Sequence, residues 1–213
     1  IYNGFWRKFD QTRNFPEAAG HNIKMHFDFE TAENEKVKVK FALSPVSTAN
    51  ALANMQAEVP HWDFDRTRRE GEQLWEKELN KIQVETLTED DKVNFYTAMY
   101  HAFINPTVYM DNNGEYKGLD QNVHVAEGFT NYTTFSLWDT YRTLHPLFNL
   151  VQTERNNHMM QSMLAHYDQS AHHALPVWSH YANENWCMIG YHSVSLLADG
   201  IVKGNLAYDH DKA

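Results

Sequence analysis

The hydrophobic period of this chain changes once, at Ser44-Pro45, and that change constrains the fold more than any other feature. Before it, Ile23, Met25, Phe27 and Phe29 alternate with Lys24, His26 and Asp28, and Val37, Val39, Phe41 and Leu43 alternate with Lys38, Lys40 and Ala42. Such alternation puts the apolar side chains on one face of a strand. With Glu30 to Lys36 as a polar connection, the two runs predict an antiparallel hairpin with one buried face. Two strands are not stable alone in water, so residues 1–47 are expected to hold the last strands of a larger sheet.

After Ser44-Pro45 the period is helical. Ser47 to Glu58 carries Ala49, Leu52, Ala53 and Met55, and Pro60 stops it. Asp65 to Ile82 places Trp75, Leu79 and Ile82 at i, i+4 and i+7 among charges, so residues 48–84 read as a helical connector. Thr88 with Asp91 resembles a capping box, opening a helix whose apolar stripe is Tyr96, Met99, Tyr100 and Phe103. Residues 105–133 are broken by Pro106, Gly114, Gly118 and Gly128 and predict a long functional loop, with a type I′ turn at Asn113-Gly114. Helices are expected again over Phe135–Leu144, Asn156–Tyr167 and Met188–Lys203, the last with Gly190 in its interior and Gly204 as its cap. The fold class is α+β.

Composition narrows the function. With 18 Lys+Arg against 28 Asp+Glu, a net charge of -10 and no basic cluster, the chain lacks what phosphate contacts require, so no nucleic-acid partner is expected. Cys187 is alone, which excludes a disulfide framework and a cysteine-based zinc site. No apolar run approaches the ~20 residues that cross a bilayer. Aromatic residues at 14% and 13 His suit either a large aromatic core or a site where sugar C–H faces stack on rings and hydroxyls meet fixed polar groups. The chain opens at Ile1 and closes in a run, Leu206 to Ala213, that reads as the approach to another helix, as in a piece of a longer protein.

Two segments carry candidate chemistry. In Ser136-Leu-Trp-Asp-Thr-Tyr-Arg142 a stacking plane, a carboxylate and a guanidinium fall within about one helical turn. Asp139 and Arg142 either pair with each other at i, i+3 or bind neighbouring hydroxyls of one sugar with Trp138 beneath the ring. In Asn183-Glu-Asn-Trp-Cys-Met-Ile-Gly-Tyr-His192 the first three residues are expected at the cap and first turn of a helix, where Glu184 and Asn183 either cap it or touch a ligand. Other signals fail. Asp111 to Gly114 has glycine at the wrong place for a calcium loop. The adjacent His172 and His173 lack metal-ligand spacing, and Ser193 and Ser195 near His192 lack the nucleophile elbow.

Together these two segments resemble glycoside hydrolase family 92, a family of calcium-dependent exo-acting α-mannosidases. Ser44-Pro-Val-Ser47 with Ala49, Asn50 and Asn54 is similar to the family's exit from its β-sandwich. Trp75 and Leu79 are similar to its connector, and Phe95 to His101 with Pro106 to the opening of its (α/α)6 toroid. Asp111, Gly114, Tyr116, Gly118 and Asp120 are similar to the loop that follows; Asn185 departs, standing where the family most often has Thr.

The resemblance implies residues 1–47 as the end of the sandwich, 48–84 as connector and 85–213 as the first part of the toroid. It implies part of an inverting exo-α-mannosidase, acting on α-1,2-linked mannose of N-glycans or mannans and secreted or periplasmic. The remainder of the polypeptide would supply the catalytic acid and base and the calcium ligands, so no catalytic and no metal residue is expected here. Trp138, Asp139 and Arg142, with Asn183 and Glu184 second, are the expected substrate contacts. Two alternatives stay open: a non-catalytic carbohydrate-binding or scaffold module, and another (α/α)6 glycoside hydrolase in which Glu184 is the acid.

Overall fold

The computed structural model describes residues 2–7, 10–13, 23–205 and 207–213, in two units, Ile1–Val39 and Lys40–Ala213. Residues 1, 8–9 and 14–22, part of the expected β domain, and Leu206 of the closing run lie outside the described residues.

The first unit holds an antiparallel sheet of β1 (Tyr2–Arg7), β2 (Asp10–Arg13) and β3 (Ile23–Phe27), in the order β2-β1-β3. The strand expected at Ile23 is present, but its partner is not Val37–Leu43. Phe5 pairs with Met25 and Arg7 with Ile23, so the partner of this strand is β1. Residues 28–46 carry no strand, and Phe41 and Leu43 are 83% and 82% exposed. Alternation marks a segment able to be a strand; without a ladder alongside, its apolar face stays uncovered.

The second unit is mainly helical. Ser47 caps α1 (Thr48–Glu58), its side chain accepting from Asn50 N–H. Asp63 caps α2 (Phe64–Leu79), and Thr88 caps α3 (Glu89–Ile104) by accepting from Asp91 N–H at 3.1 Å. Helix α2 is charged except along one stripe. Trp75, Leu79 and the following Ile82 pack against the core, with the Trp75 ring 4.4 Å from Tyr100.

Four short strands break the chain after α3: β4 (Thr107–Val108), β5 (Glu115–Lys117), β6 (Val123–Val125) and β7 (Tyr132–Thr133). They form two antiparallel pairs, β4 with β7 and β5 with β6. The turn before β5 is not type I′, which needs positive φ at two central residues. Only Gly114 has it (φ 84°), at the end of a turn closed by Gly114 N–H to the Asp111 carbonyl, 2.8 Å.

This turn is stapled to the start of α1. The Asp111 carboxylate, 2% exposed, accepts from Ser44 Oγ (2.6 Å), Asn50 Nδ2 (2.8 Å) and Asn54 Nδ2 (2.7 Å). Asn54 Oδ1 in turn accepts from Asn112 N–H at 2.9 Å. Motifs more than 50 residues apart in sequence thus meet as one polar joint.

The chain continues through α4 (Leu137–Thr140), α5 (Leu144–Val151) and α6 (Thr153–Gln169), then β8 (Ser179–His180), β9 (Asn183–Glu184) and α7 (His192–Val202). Helix α6 is the hub. Met159, Met160 and Met163 are fully buried among Phe135, Leu137, Phe148, Leu196 and Leu197. Its buried polar residues hold the surrounding loops: Ser162 Oγ accepts from Tyr132 N–H, His166 Nδ1 bonds Ser179 Oγ at 3.1 Å, and Gln169 Nε2 donates to Tyr116 OH at 2.7 Å. Gly204 ends α7 as expected, with φ 80° and Asn205 N–H donating back to the Gly200 carbonyl.

The expected helix over Met188–Lys203 begins only at His192. Gly190 is therefore not a mid-helix residue. It sits before the helix at φ 108°, a conformation in which glycine is unstrained. Asn183 and Glu184 are likewise not at a helix cap but in β9, paired with β8 through Ser179–Glu184 and His180–Asn183.

Candidate functional site

The loops hung from α6 bring residues 133–142 against residues 171–192. Phe135 N–H donates to the Ser179 carbonyl at 3.0 Å, and Tyr181 N–H to Thr133 Oγ1 at 2.7 Å. The single turn of α4 then carries Trp138 and Asp139 to the surface, and the chain turns out through Tyr141 and Arg142.

Trp138 is 41% exposed, and its Nε1–H donates to the Ile189 carbonyl. Its ring meets His192 edge-on at 4.8 Å and Tyr141 edge-on at 6.0 Å. Tyr141 and His192 stack on each other at 4.0 Å with 10° between their planes. Arg142 lies over the Tyr141 ring at 5.2 Å and donates from Nε to the Tyr141 hydroxyl. Three rings and a guanidinium from two distant segments thus form one group, with Trp138 and Arg142 exposed and Tyr141 and His192 half-buried. Tyr141 stands out in the sequence with Trp138, Asp139 and Arg142, but His192 does not, since spacing within either segment alone does not show that the two rings stack.

Asp139 and Arg142 do not pair. Asp139 accepts from Ser136 Oγ at 2.5 Å, while Arg142 is taken up by Tyr141. The helix stops after Thr140, so the i, i+3 geometry that would join the two is not completed. Both side chains are exposed, with hydrogen-bonding capacity left for hydroxyls.

Glu184 is directed inward. Oε1 accepts from Trp178 N–H (2.8 Å) and Trp186 N–H (3.0 Å), and Oε2 from Val177 N–H (2.9 Å). Asn183 is exposed, its amide donating to Asn185 Oδ1 at 3.0 Å. The structure therefore joins Trp138 and Arg142 in one group with Asp139 beside it, while the hydrogen bonds of Asn183 and Glu184 stay within the 177–186 loop. The backbone of the two facing segments is strained. Of the eight non-glycine residues at positive φ among the described residues, six are Thr134, His173, Tyr181, Ala182, Trp186 and Met188. Such outliers cluster where function over-determines the backbone. Trp178 Nε1, His180 Nε2 and His192 Nε2 are buried atoms of this region without a hydrogen-bond partner.

The described residues do not gather into a calcium site. Among the described residues no three His, Cys, Asp or Glu side chains converge on a point that could hold a metal ion. The buried carboxylate of Asp111 is filled by Ser44, Asn50 and Asn54, and the Asn50 amide also holds Glu115 and keeps its carboxyl below the usual range.

The family model described as the Glycosyl hydrolase family 92 catalytic domain matches residues 50–213. Among solved structures the chain is similar to a family GH92 alpha-mannosidase from Bacteroides thetaiotaomicron, with 44% identity and a TM-score of 0.87, covering 98% of this chain and 29% of that one. That mannosidase in complex with mannoimidazole matches at 43% identity and a TM-score of 0.86, covering 98% and 28%. A family GH92 inverting mannosidase from Bacteroides thetaiotaomicron VPI-5482 is 26% identical, with a TM-score of 0.82, covering 100% and 29%. An uncharacterized secreted glycosidase of Arthroderma benhamiae is 27% identical over 94 residues, 41% of this chain and 12% of that protein. The chain thus spans less than a third of the length of each of these relatives.

Proposed function

Since the chain belongs to glycosyl hydrolase family 92, we propose that it is part of an inverting, exo-acting α-mannosidase that removes terminal mannose, α-1,2-linked, from N-glycans or mannans. The observation that carries this reading is the 44% identity to an α-mannosidase over 98% of the chain. Residues 1–47 are the end of a β-sandwich, 48–84 a connector and 85–213 the first part of an (α/α)6 toroid.

Inversion needs one carboxylic acid and one carboxylate base about 6.5–9.5 Å apart, with the attacking water between them. That pair belongs to the remainder of the polypeptide, and so do the ligands of the family's calcium ion; nothing assigned to this chain runs through the ion. What this chain supplies is binding. The exposed face of Trp138 stacks under the mannose ring. Asp139 accepts from its hydroxyls, and Arg142, held by Tyr141, donates to them. A ring fixed in this way holds its anomeric carbon in line for water, which converts binding into rate. The secreted relative fits export to where such glycans lie.

The test is the anomer released by the full-length protein from α-1,2-mannobiose, followed by proton NMR before mutarotation. β-Mannose appearing first supports the reading. α-Mannose appearing first, or no release, contradicts it.

A further inference from the structure

Glu184 closes a loop on itself. Strands β8 and β9 are two residues each and supply little ladder, yet the backbone from His173 to Met188 holds five non-glycine residues at positive φ. Such conformations cost on the order of 1–3 kcal/mol each and persist only where the surroundings enforce them. The enforcing group is the Glu184 carboxylate, which takes N–H donors from Val177 and Trp178 on one limb and Trp186 on the other. Asn185 adds a second clasp, its backbone N–H and Nδ2 both donating to the Trp178 carbonyl at 3.2 and 2.9 Å.

The far end of the same loop reaches the exposed rings. The Ile189 carbonyl accepts from Trp138 Nε1, and the Tyr191 hydroxyl accepts from Leu175 N–H at 2.8 Å. His192 follows, stacked on Tyr141. The plane of Trp138 is thus aimed by a carbonyl three residues beyond Trp186, the last residue that Glu184 holds.

We infer that Glu184 is a positioning residue: it acts through the 177–189 loop and the Ile189 carbonyl to fix the plane of Trp138, and serves neither as the acid nor as a contact to the sugar. A general acid must present a proton to the glycosidic oxygen, whereas both oxygens of Glu184 face backbone donors of its own loop. The inference rests on the reading of the Trp138 face as the mannose platform.

The experiment compares full-length wild type with Glu184→Ala, Glu184→Gln and Trp138→Ala, on aryl α-mannosides with good and poor leaving groups. A displaced platform costs on the order of 10- to 100-fold. Glu184→Ala is therefore expected to raise KM by roughly that factor, equally for both leaving groups, with both limbs of the pH–rate profile kept. Glu184→Gln retains one carbonyl oxygen for the Trp178 and Trp186 N–H groups but turns its amide NH2 toward the Val177 N–H, and is expected to restore part of the loss. Wild-type kcat and KM in the folded Glu184→Ala protein would overturn the inference. So would selective rescue by the good leaving group, which is the mark of a missing acid. If Trp138→Ala leaves KM unchanged, the platform reading falls and takes the inference with it. If Trp138→Ala raises KM and Glu184→Ala does not, the inference alone falls.

Discussion

Replacing Asp111 by Ala should open the joint between α1 and the turn before β5. Three donors then lose a charged acceptor, and such hydrogen bonds contribute about 1.5–3 kcal/mol each. The sum is not realised. Asn50 Nδ2 keeps Glu115 at 2.7 Å, and Ser44, partly exposed, can turn to water. Asn54 is 8% exposed and its Nδ2 keeps only a long contact, 3.4 Å, to the Leu43 carbonyl, so most of the loss falls there. The expected cost is about 2–4 kcal/mol. Asp111→Asn keeps an oxygen for Ser44 and Asn50 but turns an amide toward Asn54, for about 1–2 kcal/mol. Because global unfolding of a multidomain protein is not two-state, the assay is native-state hydrogen exchange at the Asn112 amide, which donates to Asn54. Protection there should fall roughly 30- to 1000-fold in Asp111→Ala. A change under about threefold would refute the staple.

Two further outcomes follow from buried groups. His145 and His166 are buried, and desolvation pushes both imidazoles down to about 4. The unfolded chain therefore binds more protons between the ordinary 6.5 and about 4, so stability is complete above 6.5 and is lost as pH falls toward 4, by roughly 3 kcal/mol per histidine. Hydrogen-exchange protection of the α6 amides in the full-length protein should fall accordingly between pH 7 and 4, after correction for intrinsic exchange, and fall less in His145→Gln; unchanged protection contradicts this. Gly190→Ala would place a Cβ 2.7 Å from His192 Nε2 at φ 108°, so it should cost about 1–3 kcal/mol and pull His192 off Tyr141. A lowered Tm together with a raised KM for aryl α-mannosides is the expected readout, and unchanged values of both contradict it.

What was legible in the sequence was local. Ser47 and Thr88 mark helix starts because one side-chain oxygen satisfying one N–H is decided within three residues. The stripe Trp75, Leu79 and Ile82 needs only a surface to pack on. What failed depended on partners far along the chain. Val37–Leu43 alternates as a strand should, but β1 pairs with β3. The apolar run from Met188 looked helical, yet Met188 at φ 68° and Gly190 at φ 108° leave its first residues in a loop, and the helix begins at His192. Asp139 and Arg142 look like an ion pair only if the helix continues, and Tyr141 claims the guanidinium instead. The family likeness found the region of the site; only the fold shows that His192, 54 positions beyond Trp138, completes it.

The central claim is that the Trp138, Asp139 and Arg142 face holds the sugar, and it is tested most directly by kcat/KM of the full-length enzyme carrying Asp139→Ala. The control is Glu154→Ala, an exposed acid in the first turn of α6. In the protein alone Asp139 has one hydroxyl partner, Ser136, so its removal costs the fold little, at most about 1 kcal/mol. Against a bound sugar, losing a charged acceptor costs about 2–4 kcal/mol. The expected result is a loss of roughly 30- to 1000-fold in kcat/KM for Asp139→Ala, with a near-native Tm and a near-native Glu154→Ala control. An Asp139→Ala enzyme within a few-fold of wild type in kcat/KM, but with a lowered Tm, would make Asp139 a structural residue and contradict the claim.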